Sequence, residues 1–278
     1  MLSVVNPVKN ASAFVELVRV FTSRRRIILE LAKRDVVDAH AGEFFGAFWT
    51  YAHPIFLMVV YGFVFNFVFR SRLPPDLIVP ADYSVYLFAG LIPWISAQGA
   101  MSKGASLILA HSNLVKQVVF PVEIIPLKVA VASCFPFLLS LLVLTIYLLA
   151  KFGVPPWTWS LLPVLLFLHL AFLVGLIFIF GAITVFVRDI REIVIMFSIA
   201  GVFLMPIIYL PQWVPEAVRP ILYINPFSHM VWCFQDVFFF GRIEHPWSWF
   251  IYSTISLGSA VLGFRLFRKF QPHFANVI

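Results

Sequence analysis

Apolar residues crowd into six stretches, at about residues 44–69, 83–104, 124–150, 160–187, 193–211 and 247–266. Each is near the roughly 20 residues that a helix needs to cross a bilayer. The pattern predicts an all-α polytopic membrane protein with six transmembrane helices in a single domain over 1–278, the membrane part covering 44–266 and a short tail 267–278 following it. The first stretch is long enough to tilt. Pro54 inside it predicts a kink, because proline lacks the N–H that a helix interior needs.

The spacing changes ahead of the first span. Phe14, Leu17, Val18 and Phe21 recur at helical intervals, then come Arg24, Arg25 and Arg26, then Ile27, Ile28 and Leu31, with Lys33 and Arg34 beyond. An apolar stripe beside a basic face predicts an amphipathic helix within residues 1–43, broken near Thr22-Ser23, lying on the membrane surface with its arginines among anionic head groups. The rival reading, a basic solvated tail, leaves the apolar spacing without a cause.

Two connections stand out from the rest. Between the second and third spans, His111–Pro126 mixes apolar Leu114, Val115, Val118 and Val119 with Lys116 and Glu123, and is bracketed by Pro121 and Pro126. This predicts a short amphipathic surface helix followed by the start of the next membrane helix, and a contact for a soluble partner. Residues 211–246 are semi-apolar but interrupted by Pro211, Pro215, Pro220 and Pro226, which predicts two short re-entrant or surface helices. Such a segment suits an outer gate or a packing cap.

Composition bears out the class and charge orients it. The chain is 62% hydrophobic and 12% charged, with a mean hydropathy of +0.96, whereas soluble domains carry about 25% charged residues. The net charge of +7 is distributed unevenly: fifteen lysines and arginines fall on one side of the predicted spans and five on the other. The positive-inside rule then places both termini and the 105–123 connection in the cytoplasm. The first twenty residues lack the pattern of a cleavable signal. Cys134 and Cys233 form no pair motif and read as small buried hydrophobes.

Several chemistries are excluded. Ionisable groups are scarce within the spans apart from His53 and His169, which argues against a proton- or sodium-coupled pathway. No phosphate loop is present: Gly99-Ala-Met-Ser-Lys-Gly104 runs on into Ala105-Ser106 within an apolar helix. If ATP drives the protein, another chain hydrolyses it. Metal-ligand clusters and a nucleophile elbow are absent, and the basic charge needs no nucleic acid to account for it. Arg188-Asp189-Ile-Arg191-Glu192 reads either as a solvated inner turn or as a salt-bridge cluster. Among the many aromatics, Trp49, Tyr51, Tyr61, Tyr86, Trp94 and Tyr209 are amphipathic rings of a kind that stacks on sugar faces, and are candidates for lining a translocation pathway.

The ordered motifs resemble the transmembrane subunit of a type-2 ABC exporter, in its polysaccharide-exporting group. They are Leu31-Ala-Lys-Arg-Asp35, Gly46-x-x-Trp49 with Pro54, Leu87-Phe-Ala-Gly-Leu-Ile-Pro-Trp94, Asn113-Leu-Val-Lys116, Phe120-Pro-Val-Glu-Ile-Ile-Pro126, Arg188-Asp-Ile190, Pro206-Ile-Ile-Tyr209 and Asn225-Pro226. The resemblance implies a dimeric permease in the bacterial inner membrane, paired with two ABC ATPase subunits that bind ATP and Mg, with no cofactor in this chain. It implies that Asn113, Lys116, Phe120, Pro121 and Glu123 contact the ATPase beside the basic interface helix, and that Trp213, Asn225 and Pro226 belong to a periplasmic gate. The implied substrate is a lipid-linked polysaccharide such as O-antigen. Capsular polysaccharide, teichoic acid, and drug or small-lipid export are the alternatives, while a membrane-embedded assembly enzyme lacks the clustered acids or histidines it would need.

Overall fold

The computed structural model describes residues 7–38, 42–46, 48–68, 79, 81–112 and 121–277. Among them the regular structure is all helical. Helix α1 (Pro7–Ser23) and α2 (Arg25–Asp38) lead the chain. They part at Arg24, just after Thr22 and Ser23, whose hydroxyls donate back to the carbonyls of Val18 (2.9 Å) and Arg19 (2.6 Å). Such back-bonding offers the backbone an alternative to the helix ladder and bends it. On α2, Ile28, Ala32 and Val36 repeat every four residues and are buried, so one stripe packs inward while the basic residues face out.

A helix lies in each of the six apolar stretches, with boundaries that differ from the sequence expectation. They are α3 (Phe48–Phe63, running into a π turn Val64–Val68), α4 (Tyr83–Ala110), α5 (Ile124–Phe152), α6 (Leu162–Ile183, entered by a 3₁₀ turn Trp157–Leu161), α7 (Ile190–Gly201) and, last in the chain, α10 (Pro246–Val277). Three of these, at Ile124–Phe152, Trp157–Ile183 and Pro246–Phe274, are long and apolar enough to cross a membrane, with mean hydropathies of 2.4, 2.7 and 1.4. Helix α3 has 16 residues and α7 only 12. Instead of running on to 211, α7 gives way to turns before Pro206. Helix α4 is longer than expected and carries polar Ser96, Gln98, Ser102, Lys103 and Ser106.

The centre of the bundle is the pairing of α6 with α10, against which α4 and α9 pack. Close approach is possible because glycines face each other. A Cβ on Gly175 would stand 2.6 Å from the Ser259 carbonyl carbon, and one on Gly263 would stand 2.8 Å from the Gly175 oxygen. Small residues at such contacts let membrane helices meet backbone to backbone, which maximises dispersion contacts where lipid provides no hydrophobic drive.

The 211–246 region separates into two unlike parts. Helix α8 (Pro220–Ile224) exposes Ile221, Tyr223 and Ile224, whereas every residue of α9 (Pro226–Gln235) from Phe227 onward is buried, against α4 and α10. They meet at Asn225, whose side-chain oxygen accepts from the Phe227 N–H at 3.0 Å, with Pro226 in the first helical position. A π turn, Asp236–Phe240, extends α9 and ends at Gly241, where φ is +63°.

Candidate functional site

At the end of the bundle that carries α1 and α2, charged side chains tie separate helices together. Of the residues expected to contact a soluble partner, Asn113, Lys116 and Phe120 lie outside the described residues. Pro121 and Glu123 are described, and lie where the chain turns into α5: the N–H groups of Ile124 and Ile125 bond the Pro121 and Val122 carbonyls at 3.0 and 3.1 Å. The Glu123 carboxylate lies 3.6 Å from Arg268 Nε on α10, and the same guanidinium pairs with Glu16 on α1. One arginine therefore joins the last helix, the first helix and the base of the 111–126 stretch. A few residues on, Lys128 of α5 is buried and its Nζ lies 2.7 Å from Asp35 of α2. Lysine is almost never buried unless paired, so this contact fixes how α2 sits on α5.

Arg24, Arg25, Arg26, Lys33 and Arg34 are all exposed, Arg24 in the break between α1 and α2 and the others along α2. Arg34 forms an i,i+4 pair with Asp38 at 3.1 Å. Their chemistry is a row of cations on a surface, and nothing in the packing requires them.

The opposite end is a hydrogen-bonded assembly. Because α7 stops short, the 206–209 carbonyls have no helical partners, and side chains from α4 and α9 take their place. Tyr83 donates to Ile208 O at 2.7 Å, Tyr86 to Pro206 O and Tyr209 O at 2.9 Å each, and Gln235 Nε2 to Pro206 O at 2.9 Å. Backbone at membrane depth is tolerated only when its polar groups are satisfied within the protein. Asn225 adds a bond from Nδ2 to Leu204 O at 3.2 Å. Nearby, Asp82 caps α4 through the Val85 N–H and also receives the Tyr147 hydroxyl at 2.8 Å and the Lys151 ammonium. Buried Asp236 accepts from the His245 N–H (3.1 Å), His245 Nδ1 (2.8 Å) and Trp249 Nε1 (3.0 Å). His229 spans Ser248 Oγ and Tyr223 O at 3.0 Å each, and burial pushes its imidazole below the usual histidine range.

The six candidate aromatics do not share one surface. Tyr86 and Trp94 are each 1% exposed. Trp94 lies on Gly201, edge-on to Phe197 and Phe227, so its faces are used in packing. Tyr61 stacks on Phe65, and the run continues through Tyr83 to Tyr86 and to Trp213. Tyr51 packs partly buried near the α2–α5 contact. Tyr209 is half-buried and donates to Phe203 O at 3.1 Å. Trp49, 43% exposed, lines a cavity of about 600 Å³ between α3, α4 and α5. His53 lines it as well. His169 does not: it is buried between Tyr252 OH and Ser96 Oγ, at 3.1 Å from each, and holds α10, α6 and α4 together.

Lys128, Arg268, Tyr83 and Asp236 were not singled out by sequence reasoning, and Asp35 entered only as the last residue of the Leu31–Asp35 motif. Asp236 meets partners 9 and 13 residues on, but the partners of the other four lie between 93 and 252 residues away, so no local pattern marks them.

The family model described as ABC-2 type transporter matches residues 27–239, from α2 through the turn after α9. The chain belongs to the ABC-2 type transporter family. It is 28% identical over 266 residues to the O-antigen export system permease protein RfbA of Myxococcus xanthus, covering 95% of this chain and 100% of that protein. It is 25% identical over 255 residues to the protein of the same name from Klebsiella pneumoniae, covering 91% of this chain and 95% of that one. This ABC-2 chain is accordingly a multi-pass membrane subunit of a transporter.

Proposed function

We propose that this chain is the permease subunit of an O-antigen exporter, moving a lipid-linked polysaccharide across the bacterial inner membrane. The observation that carries this reading is its end-to-end similarity to proteins named as O-antigen export permeases, reaching 95% of this chain. The family match over residues 27–239 agrees with it. Two copies pair, and two separate ABC ATPase subunits bind ATP and Mg. Both termini and the 111–126 stretch lie in the cytoplasm in this reading, which the excess of lysine and arginine on that side supports. ATP binding in the partner pushes on the segment containing Asn113, Lys116, Phe120, Pro121 and Glu123, and the ion pairs of Glu123 and Lys128 carry that displacement to α10, α1 and α2.

Of the candidate rings, Trp49, Tyr51, Tyr61 and Tyr209 keep surface to offer a glycan, and they are the proposed pathway residues. Trp213, Asn225 and Pro226 belong to the proposed periplasmic gate, where α8 and the turn before it are exposed and α9 anchors them.

Co-reconstitution with the ATPase subunit in liposomes tests the proposal. ATP-dependent appearance of a lipid-linked glycan on the far leaflet, lost when the ATPase is inactivated, is expected. Transport of an apolar drug but not of the glycan, or ATP-independent transport, would overturn it.

A further inference from the structure

The cavity between α3, α4 and α5 has a charged rim and an apolar depth. Beside it lies a second cavity of about 220 Å³, lined by Asp35, Ser106 and His111, and Thr50 and Lys103 line both. The two therefore adjoin at the end of the bundle that carries α2. The larger one, at about 600 Å³, falls within the usual range for ligand sites.

Lys103 makes no salt bridge or hydrogen bond among the described residues; it is exposed, and its side chain lines the mouth where the two cavities meet. Asp35, whose charge acts on it across the smaller cavity, is already paired with Lys128. Thr50 Oγ1 is likewise without a hydrogen-bond partner. A cation and a hydroxyl donor thus line the same mouth, neither bonded to another described residue. Glu43 shares the rim of the larger cavity and has an interaction of its own. Further in, the walls are mostly Pro54, Met58, Ile92, Ile95 and Phe137. The hydroxyls of Ser133 and Ser140, also on the wall, donate to Val129 O and Pro136 O at 2.9 Å each, so their protons are already used. Charge at the mouth and hydrocarbon toward the middle of the helices is the polarity of a lipid leaflet. An inorganic anion would leave that apolar depth unfilled. A neutral lipid would leave Lys103 and Thr50 without an acceptor.

We propose that this cavity holds one phosphate-headed amphiphile, its phosphate oxygens accepting from Lys103 Nζ and Thr50 Oγ1 and its chain lying against Met58, Ile92 and Phe137. A phosphate has enough oxygens to serve both donors at once, and charge-assisted bonds of this kind are the strong ones. The assignment stands apart from the export reading, since a site of this chemistry exists whether or not its lipid is moved.

The test uses the full chain purified in detergent, stripped of lipid and examined by native mass spectrometry. The probes are dioleoyl phosphatidylglycerol, dioleoylglycerol, which has the same chains without the phosphate, and inorganic phosphate. One phosphatidylglycerol retained per chain is expected, with dioleoylglycerol retained at least about tenfold less, as for loss of a charged hydrogen bond. Lys103→Gln should reduce retention by a similar factor and Lys103→Arg should keep it. Gly99 lines the cavity and an added Cβ there meets nothing within 4 Å, so Gly99→Leu should fill the space without a clash and abolish retention. Lys151→Gln, at the far end, should change nothing. Equal retention of the two lipids, or unchanged retention in both Lys103→Gln and Gly99→Leu, would overturn the proposal. So would displacement of the lipid by inorganic phosphate at equal concentration, which would make this a plain anion site.

Discussion

Lys128 Nζ lies 2.7 Å from the Asp35 carboxylate, across 93 positions of the chain, and the lysine is 6% exposed while the aspartate is 31% exposed. Breaking such a pair strands a charge, whereas replacing both partners by apolar residues is often neutral. We expect Asp35→Leu to destabilise the protein by about 3 kcal/mol, since it leaves the more buried member unpaired. Lys128→Met should cost less, and Asp35→Leu with Lys128→Met should recover most of the loss. Thermal unfolding of the four proteins in detergent, read as a double-mutant cycle, decides the matter. Additive losses would mean that the pair does not hold α2 in place.

Arg268 meets Glu123 and Glu16 where all three are partly exposed. Screened pairs of this kind contribute less than about 1 kcal/mol to stability, so Arg268→Ala should leave the melting temperature nearly unchanged. Its effect should be seen in the ratio of ATP hydrolysed to glycan exported by the reconstituted complex. That ratio should rise in Arg268→Ala and in Glu123→Arg, and fall back toward wild type when Glu123→Arg is combined with Arg268→Glu. A wild-type ratio in both single variants would remove these residues from the coupling route.

The Tyr86 hydroxyl serves two carbonyls, those of Pro206 and Tyr209. Tyr86→Phe keeps the ring packed against Phe239 but withdraws that donor, and an unsatisfied buried acceptor costs about 1–3 kcal/mol. The loosening should be local. Cysteines placed at 208 or 209 should label faster with a membrane-impermeant thiol reagent in Tyr86→Phe, and labelling at position 252 should stay as in the parent. Uniform change at all three positions would point to global unfolding instead.

Glycines differ sharply in what a methyl group would meet. At Gly175 an added Cβ runs into the Ser259–Ala260 backbone, while at Gly258 it finds nothing within 4 Å. Gly175→Ala should destabilise by about 1–3 kcal/mol or more, because two packed backbones cannot move apart cheaply. Gly258→Ala should stabilise α10 by up to about 1 kcal/mol. Melting temperatures shifting in opposite directions are the expected result, and a shift of the same sign in both would show that the α6–α10 approach is not tight.

What was legible in the sequence followed from periodicity and composition. The apolar stretches located six helices, and the arginine-flanked stripe located α1 and α2 with their break one residue past Thr22-Ser23. Helix ends were less legible because they depend on partners. Helix α4 runs on to Ala110 through Pro93, and α7 stops early because Tyr83, Tyr86 and Gln235 satisfy the carbonyls that its ending exposes. For the same reason residue type alone did not reveal that Tyr86 and Trp94 are buried. An amphipathic ring is equally suited to a sugar and to a core with a stranded carbonyl or a glycine notch, and only the neighbours decide. Lys128 looked like one more positive-inside charge until Asp35 was found against it.

The burial of α9 also bears on the order in which the protein is assembled. Chains emerge from the N-terminus, and α9 is made before α10, one of the helices that cover it. Its Asp236 has no partner until His245 and Trp249 have been synthesised. During biogenesis the segment 226–240, carrying an uncompensated carboxylate and a run of phenylalanines, therefore waits outside its final position. Insertion of the last helix is then the step that completes the fold as well as the topology.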